Sequence, residues 1–320
     1  MTRKWFVTGA AGFIGSNLCE YLLRKGEMVI GYDNYETGSQ ENVARLSTAG
    51  EGRFSMREGD IRSGASLEKA LDDADVVVHL AAQVSVPRSF DDPIHTNSVN
   101  VDGFLAVLTA SLARGIGNFV YASSCAVYGD TAELPLHEGM TPKPMSPYAA
   151  TKIINEHYAS TLSARFRETS SVGLRFFNVY GPWQTAEGGY ASVIPRWVGL
   201  LMGNSQPQLF GDGTATRDFC YVEDVCRAIE AAATPSVPPG IYNVGSGTSL
   251  DMMSLYREIV SSFRKAGRAT AFDSPAFVDA RHGDILHSLA STEMAESALG
   301  FKTNVTLTDG IDRLIARQYA

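Results

Sequence analysis

The chain has 320 residues, 44% of them hydrophobic and 10% aromatic, which is enough apolar side chain for one large core or two smaller ones. A formal charge of -8 and the lack of any Lys/Arg stripe exclude a nucleic-acid surface, so an anionic ligand has to be gripped locally. No run approaches the roughly 18 apolar residues of a membrane span, and the opening MTRKWFVTGAAGF enters a strand pattern without a signal-peptide form, so the expected address is cytoplasmic with no membrane partner.

In chain order, Lys4–Thr8, Met28–Asp33, Arg53–Glu58, Val76–Leu80 and Phe119–Ser123 read as strands, and the scarcity of charge in all but Arg53–Glu58 suits burial on both faces. Helical patterns lie between them near Phe13–Arg24, Ser66–Leu71 and Asp102–Arg114. This β-α alternation predicts a doubly wound parallel sheet of Rossmann-like α/β class with right-handed crossovers. After Ser146 a long helical pattern reaches about residue 167, and Ser171–Phe177 reads as a further strand. The pattern then changes. Residues 179–213 are rich in Gly and aromatics, and TPSVPPG at 234–240 is a turn, which predicts a smaller, interleaved C-terminal α/β lobe. The expected division is 1–177 with 215–245 for the sheet domain, and 178–214 with 246–320 for the substrate lobe.

Gly9, Gly12 and Gly15 stand directly after the first strand and open the first helix. In that context glycines permit a tight turn, close approach of a pyrophosphate and close helix–strand packing, with the helix N-terminus supplying amide donors. Asp33, at the end of the second strand, is placed to accept hydrogen bonds from an adenosine ribose and would repel a 2'-phosphate, which favours NAD over NADP. Its alternative is a residue that merely starts the turn Asp33–Asn34. Asp60 and Ile61, past the third strand, are placed to border an adenine, or Asp60 caps the next helix.

Tyr148 and Lys152 in SPYAATKIINE are four apart at the start of a helical pattern and share a face. An ammonium beside a phenol, assisted by a positively charged nicotinamide, lowers the phenol's pKa and makes it a base at neutral pH. ASSCAVYGD brings Ser123 and Ser124 to the carboxyl edge of the sheet, where ligands of doubly wound folds gather. The four cysteines lack CxxC spacing and the six histidines form no HExxH, so no metal is expected and the thiols read as reduced.

TGAAGFIGS, HLAAQ, ASSCAVYG, PYAATK and LRFFNVYGP, in that order, resemble the extended short-chain dehydrogenases/reductases acting on sugar nucleotides, over nearly the whole chain. The resemblance implies that Tyr148 is the acid/base, that Lys152 holds the nicotinamide ribose and that Ser124 binds the sugar O4. It implies a cofactor border of Gly9, Gly12, Phe13, Ile14, Gly15, Asp33, Asn34, Asp60, Ile61, Leu80, Ala81, Ala82, Ser123 and Phe176. Members of that family oxidise the sugar at C4 and differ in the fate of the resulting ketone. The dehydratases resemble one another in an Asp-Glu pair after the residue matching Ser124, and the UDP-glucuronate decarboxylases in a Glu where Ala126 stands. Here Cys125-Ala126 comes next, which leaves reduction of the ketone from the other face, a 4-epimerisation.

SVPRSFDDPIHTNSVNVDGF, GGYASVIPRW, TRDFCYVEDV and ARHGDILHSLAS are similar to the UDP-N-acetylglucosamine 4-epimerases of polysaccharide biosynthesis. That similarity implies a UDP-sugar substrate bordered by Val84, Ser85, Cys125, Asn178 and the loop carrying Gln184, Tyr190 and Ser192. Arg217 and Arg281 are then the diphosphate clamp, which guanidinium geometry suits, and Ser288 sets the pocket width for an N-acetyl group. At Val84 and Cys125 the sequence departs from relatives using acetylated sugars, which leaves glucose, its acetylated form or another sugar open. The family also implies a homodimer through Asp102–Arg114 and Tyr148–Phe166. Alternatives are a UDP-glucuronate 4-epimerase, a dehydratase using Cys125 as a thiol acid/base, and a non-catalytic NAD-binding regulator, for which the Ser124, Tyr148 and Lys152 set would be superfluous.

Overall fold

The computed structural model describes residues 2–71, 73–166, 168–185, 192–279 and 285–318. From the N-terminus come β1 (Lys4–Thr8), α1 (Phe13–Arg24), β2 (Met28–Asp33), α2 (Gln40–Ala49), β3 (Phe54–Glu58), α3 (Gly64–Ala70), β4 (Val76–His79), α4 (Val86–Asp91), α5 (Pro93–Asn97), α6 (Gly103–Ala113) and β5 (Asn118–Ser124). They are succeeded by α7 (Pro147–Arg165), β6 (Ser170–Phe176), β7 (Val179–Tyr180), α8 (Val193–Met202), β8 (Gln208–Phe210), β9 (Thr216–Asp218), β10 (Cys220–Tyr221) and α9 (Val222–Ala232). The chain ends with β11 (Gly240–Val244), β12 (Ser249–Asp251), α10 (Met252–Lys265), β13 (Ala276–Val278), α11 (Glu293–Leu299) and α12 (Leu307–Gln318).

Seven strands form one sheet in the order β11-β6-β5-β4-β1-β2-β3, with every pairing parallel. The expected doubly wound sheet is therefore present. Alternation along β1 sorts its side chains to two faces: Trp5 and Val7 enter one core with Leu18 and Leu22 of α1 and Val225 and Ile229 of α9, while Phe6 enters the other with Leu67, Phe104 and Phe119. Each such apolar side chain, fully buried, contributes about 1.5–3 kcal/mol, and this is what fixes the register of a strand whose one charge sits at its first residue. β1 has β2 on one side and β4 on the other, so sheet growth reverses there and opens a crevice at the strands' carboxyl ends.

A third core lies apart from both sheet faces. Trp197 and Val198 of α8, Leu209 of β8, Tyr256 and Ile259 of α10, and Ile311 and Leu314 of α12 pack together there. Three short two-stranded ladders accompany it, β10-β7, β12-β9 and β13-β8. Helices α2, α4 and α5 were not expected from the sequence. Only Asn42 and Leu46 of α2 are buried, so it carries no apolar period to read.

Candidate active site

The crevice begins with the turn after β1. Gly9 has φ +71, and a Cβ there would lie 2.8 Å from the Ala81 backbone nitrogen. A Cβ on Gly15 would lie 2.0 Å from the Gly9 carbonyl oxygen, so neither position admits a side chain. Gly12 is the N-cap of α1 and offers no side chain to the first-turn amides, so those donors remain for a ligand. Thr8 Oγ1 accepts from the Leu80 and Ala81 N–H groups, both at 3.2 Å, and so donates its own proton to His79 Nδ1 at 3.0 Å. Burial, and secondarily the charge of Lys152, holds that imidazole down to about 3 and keeps it a neutral acceptor. The cradle is thus a set of backbone positions locked across β1 and β4, with the geometry a dinucleotide pyrophosphate fits.

Asp33 closes the far end. Its carboxylate accepts from Ala11 N–H at 3.0 Å and Tyr35 N–H at 2.8 Å, and burial raises its pKa against these bonds. A carboxylate has acceptor capacity for more than two donors, so ribose hydroxyls can still be served. Asn34 donates to Asp60 at 3.2 Å, and Asp60 forms a two-armed pair with Arg62 that brings its pKa down to about 2. Asp60 is therefore not a helix cap: the residue preceding α3 is Ser63. Ile61 is 6% exposed and packs against Gly103, so its side chain belongs to the core. Phe13, Ile14, Leu80, Ala81 and Ala82 are half-buried, while Phe176 is buried at the end of β6.

Ser146 caps α7 by accepting from Ala149 N–H, and Pro147 occupies the first turn, which aims Tyr148 and Lys152 from one helix face toward the end of β5. Lys152 is 3% exposed and donates to the Ala122 carbonyl at 3.0 Å. Its ammonium lies 5.6 Å from the centre of the Tyr148 ring. The Ser124 hydroxyl accepts from Ala126 N–H and faces the Tyr148 phenol, lowering that phenol's pKa. Burial nevertheless wins and pushes Tyr148 up to about 12. The protein alone therefore keeps Tyr148 protonated, with the ammonium set toward the ring and the Ala122 carbonyl; the expected acidification draws on the nicotinamide's positive charge as well as on Lys152.

Two further expectations change. Ser123 donates its hydroxyl to Glu156 at 2.6 Å inside the protein, so that group ties β5 to α7 and is not offered to a cofactor. Cys125 is pushed up to about 12 by burial first and by Asp218 second, which removes the thiolate a thiol base would need.

Beyond Cys125, whose thiol meets the Asn178 backbone, a cavity of about 670 Å³ opens between α8, β8 and β9. Asn178, Ser192 and Arg217, three of the residues assigned to the substrate from sequence, line it. Asn178 Nδ2 donates to the Asp218 carbonyl at 2.9 Å, Gln184 Nε2 bridges the Val179 carbonyl and Ser192 Oγ, and Arg217 Nη1 donates to the carbonyls of Thr216 and Leu286. Val84 is exposed, and Ser85 caps α4 by accepting from Arg88 N–H. Ser288 is 3% exposed and lies behind Asn178, its Oγ 3.3 Å from Nδ2, so it is not on the cavity wall where it was expected. Tyr190 and Arg281 lie outside the described residues. The sequence reading missed Arg196, Trp197, Leu209, Phe210, Asp212 and Met252, all of which line the cavity. The one available signal was the aromatic-rich composition of 179–213.

The sequence pattern of the NAD dependent epimerase/dehydratase family matches residues 5–245. The chain is 35% identical to a UDP-glucose 4-epimerase of Mycolicibacterium smegmatis over 315 residues, 98% of this chain and 97% of that one. Its structure is similar to a UDP-N-acetylglucosamine 4-epimerase from Methanobrevibacter ruminantium, solved with UDP-N-acetylmuramic acid, at TM-score 0.91 and 32% identity over 98% and 97% of the two chains. It is also similar to the Thermus thermophilus UDP-glucose 4-epimerase in complex with NAD, at TM-score 0.85 and 32% identity, covering 98% of each chain.

Proposed function

The chain belongs to the NAD dependent epimerase/dehydratase family, and we propose that it inverts C4 of a UDP-hexose or UDP-N-acetylhexosamine through a transient 4-keto sugar. The observation that carries this reading is the trio at the end of β5. Tyr148 faces Ser124, Lys152 is buried beside it, and the residues directly after Ser124 are Cys125 and Ala126. Such a site has an acid/base for the 4-hydroxyl but no carboxylate on that turn for water elimination. The relatives' UDP-sugars support the substrate class.

The cradle of Gly9, Gly12 and Gly15 would hold the pyrophosphate of NAD and Asp33 the adenosine ribose, and the chemistry NAD supplies there is reversible acceptance of hydride. The chain's own residues do the rest. Ser124 orients the sugar O4, Tyr148 takes and returns its proton, and Lys152 stabilises the phenolate. Asn178 borders the sugar nucleotide and Arg217 anchors its diphosphate, with Arg281 assigned the same task as Arg217 from sequence. The 670 Å³ cavity is within the range of small-molecule sites.

Arg196 on the cavity wall also supports a second reading, a UDP-glucuronate 4-epimerase, because a sugar carboxylate needs a cation. We place the domain boundary as 1–177 with 215–245 against 178–214 with 246–320. We further propose a cytoplasmic homodimer through α6 and α7, on which Ile154 and Tyr158 are 37% and 41% exposed. The deciding experiment incubates the protein and NAD separately with UDP-glucose, UDP-N-acetylglucosamine and UDP-glucuronate, and resolves the products by NMR. A C4 epimer is the expected product; a 6-deoxy-4-keto sugar overturns the reading.

A further inference from the structure

The proton-transfer site rests on a buried polar chain that its chemistry does not itself use. Glu156 lies on α7 one helical turn beyond Lys152, on the same face, and is 5% exposed. One of its oxygens accepts from Ser123 Oγ at 2.6 Å and from Arg175 Nε at 2.9 Å; the other accepts from Arg175 Nη2 at 2.8 Å. Arg175, on β6, is 3% exposed and stacks its guanidinium 4.7 Å from the centre of the Tyr128 ring. Tyr128 donates to Asn243 of β11 at 2.6 Å. Ser123 is next in the chain to Ala122, whose carbonyl accepts from the Lys152 ammonium. The carboxylate therefore fixes the strand that positions Lys152 and supplies negative charge along the same helix.

We propose that Glu156 is a positioning residue for the proton-transfer site, keeping Lys152 charged and seated on the Ala122 carbonyl so that Tyr148 can lose its proton; this rests on the epimerase reading. The groups around Lys152 leave Glu156 as the source of that charge. His79 from β4 is neutral, and Tyr148, Tyr121, Cys125 and Tyr128 all have raised pKa values and are uncharged at neutral pH. Arg175 from β6 is a cation paired with Glu156. Arg88 of α4 and His95 of α5 are tied to Glu36, Asp91 and Asp102 are exposed, and α6 carries no ionisable side chain. Burial brings Lys152 down to about 8, and Glu156 opposes that fall. An ammonium so poised is charged below about pH 8 and neutral above it, so removal of Glu156 moves the loss of charge into the neutral range.

The test reads Lys152 itself. The Cε resonance of Lys152 in the full-length protein, assigned by its disappearance in Lys152→Met, is titrated by NMR in the wild type, in Glu156→Gln and in Glu156→Gln/Arg175→Gln. The double variant is included because the single one leaves Arg175 buried without its partner and can fail to fold. The expected result is a Lys152 titration lowered by about one pH unit or more in Glu156→Gln, and lowered by less in the double variant, where loss of the Arg175 cation offsets part of the change. The alkaline limb of turnover should fall by the same amount, with KM for the sugar nucleotide little changed, even where the double variant recovers wild-type melting. An unmoved Lys152 titration in a folded variant overturns the proposal. Because that signal is read without turnover, a wild type that fails to epimerise would refute the functional reading and leave this test standing.

Discussion

The turn after β1 and the cavity beside α8 are built on opposite plans. The cradle consists of backbone positions in one continuous stretch, residues 8–15, braced by the ends of β2 and β4. The cavity is walled by side chains from segments near 178, 192–197, 208–219, 252 and 285, held by strands of two or three residues. In the first region a single added carbon at Gly9 or Gly15 is intolerable. In the second a changed side chain alters what fits while the ladders stay paired. The contrast predicts that a cradle substitution removes the fold or the cofactor, whereas a cavity substitution changes substrate affinity.

The largest effect should come from Gly15→Val. Its Cβ would overlap the Gly9 carbonyl at 2.0 Å, in a turn with no room to relax. A loss of about 3 kcal/mol or more is expected, of the order of severe overpacking, with a fall in melting temperature and loss of NAD binding. Near-normal NAD binding by Gly15→Val would break the comparison at its strongest point.

Tyr148→Phe comes next. The phenol belongs neither to the cradle turn nor to the cavity wall, so removing its oxygen should leave NAD affinity and melting unchanged while turnover drops by at least about a hundredfold. A companion measurement tracks the phenol's ultraviolet titration. Burial sets Tyr148 at about 12 in the protein alone, so the neutral form dominates at pH 7. The titration should move down only when a positively charged nicotinamide is added. A titration that stays near 12 with NAD bound would contradict the assigned role.

The same contrast explains what the sequence made legible. β1, β2, β4 and β5 announce themselves because both their faces are buried, and the glycine spacing is readable because its requirement is local. Asp33, Tyr148 and Lys152 lie at fixed offsets within their own elements. Nothing local places Arg196, Phe210 or Met252 on one wall, since β8 has three residues and pairs with β13, more than sixty positions later. Ser123 was misassigned for a related reason. The strand's own residues do not tell the two serines apart, and only α7 decides that Ser123 meets Glu156 while Ser124 meets Tyr148.

Arg217→Lys should have a smaller effect, confined to the cavity. The guanidinium reaches two carbonyls, those of Thr216 and Leu286, while lining the space for an anionic ligand. A lysine keeps the charge but lacks the planar fork, so KM for the UDP-sugar should rise by about tenfold with turnover at saturation little altered. Unchanged KM would remove Arg217 from the substrate site.

The smallest effects belong to Ser288, and they test whether the cavity has a width gauge or only a braced wall. The Ser288 hydroxyl lies 3.3 Å from Asn178 Nδ2, while the same amide donates to the Asp218 carbonyl at 2.9 Å. Ser288→Ala leaves that shorter bond in place, and the two contacts it removes, from Asn178 Nδ2 and from the Asp218 N–H at 3.4 Å, are both long, so a change of about 1 kcal/mol or less is expected, seen as at most a several-fold rise in KM. Ser288→Tyr differs because its ring needs the volume now filled by Asn178 and the backbone of Asp218. Asn178 must then swing into the cavity and narrow it, which should harm an N-acetylated sugar more than the plain hexose. If both substrates suffer equally, Ser288 only braces Asn178, and the choice between the two sugars lies on the cavity wall, where Arg196, Trp197 and Phe210 stand.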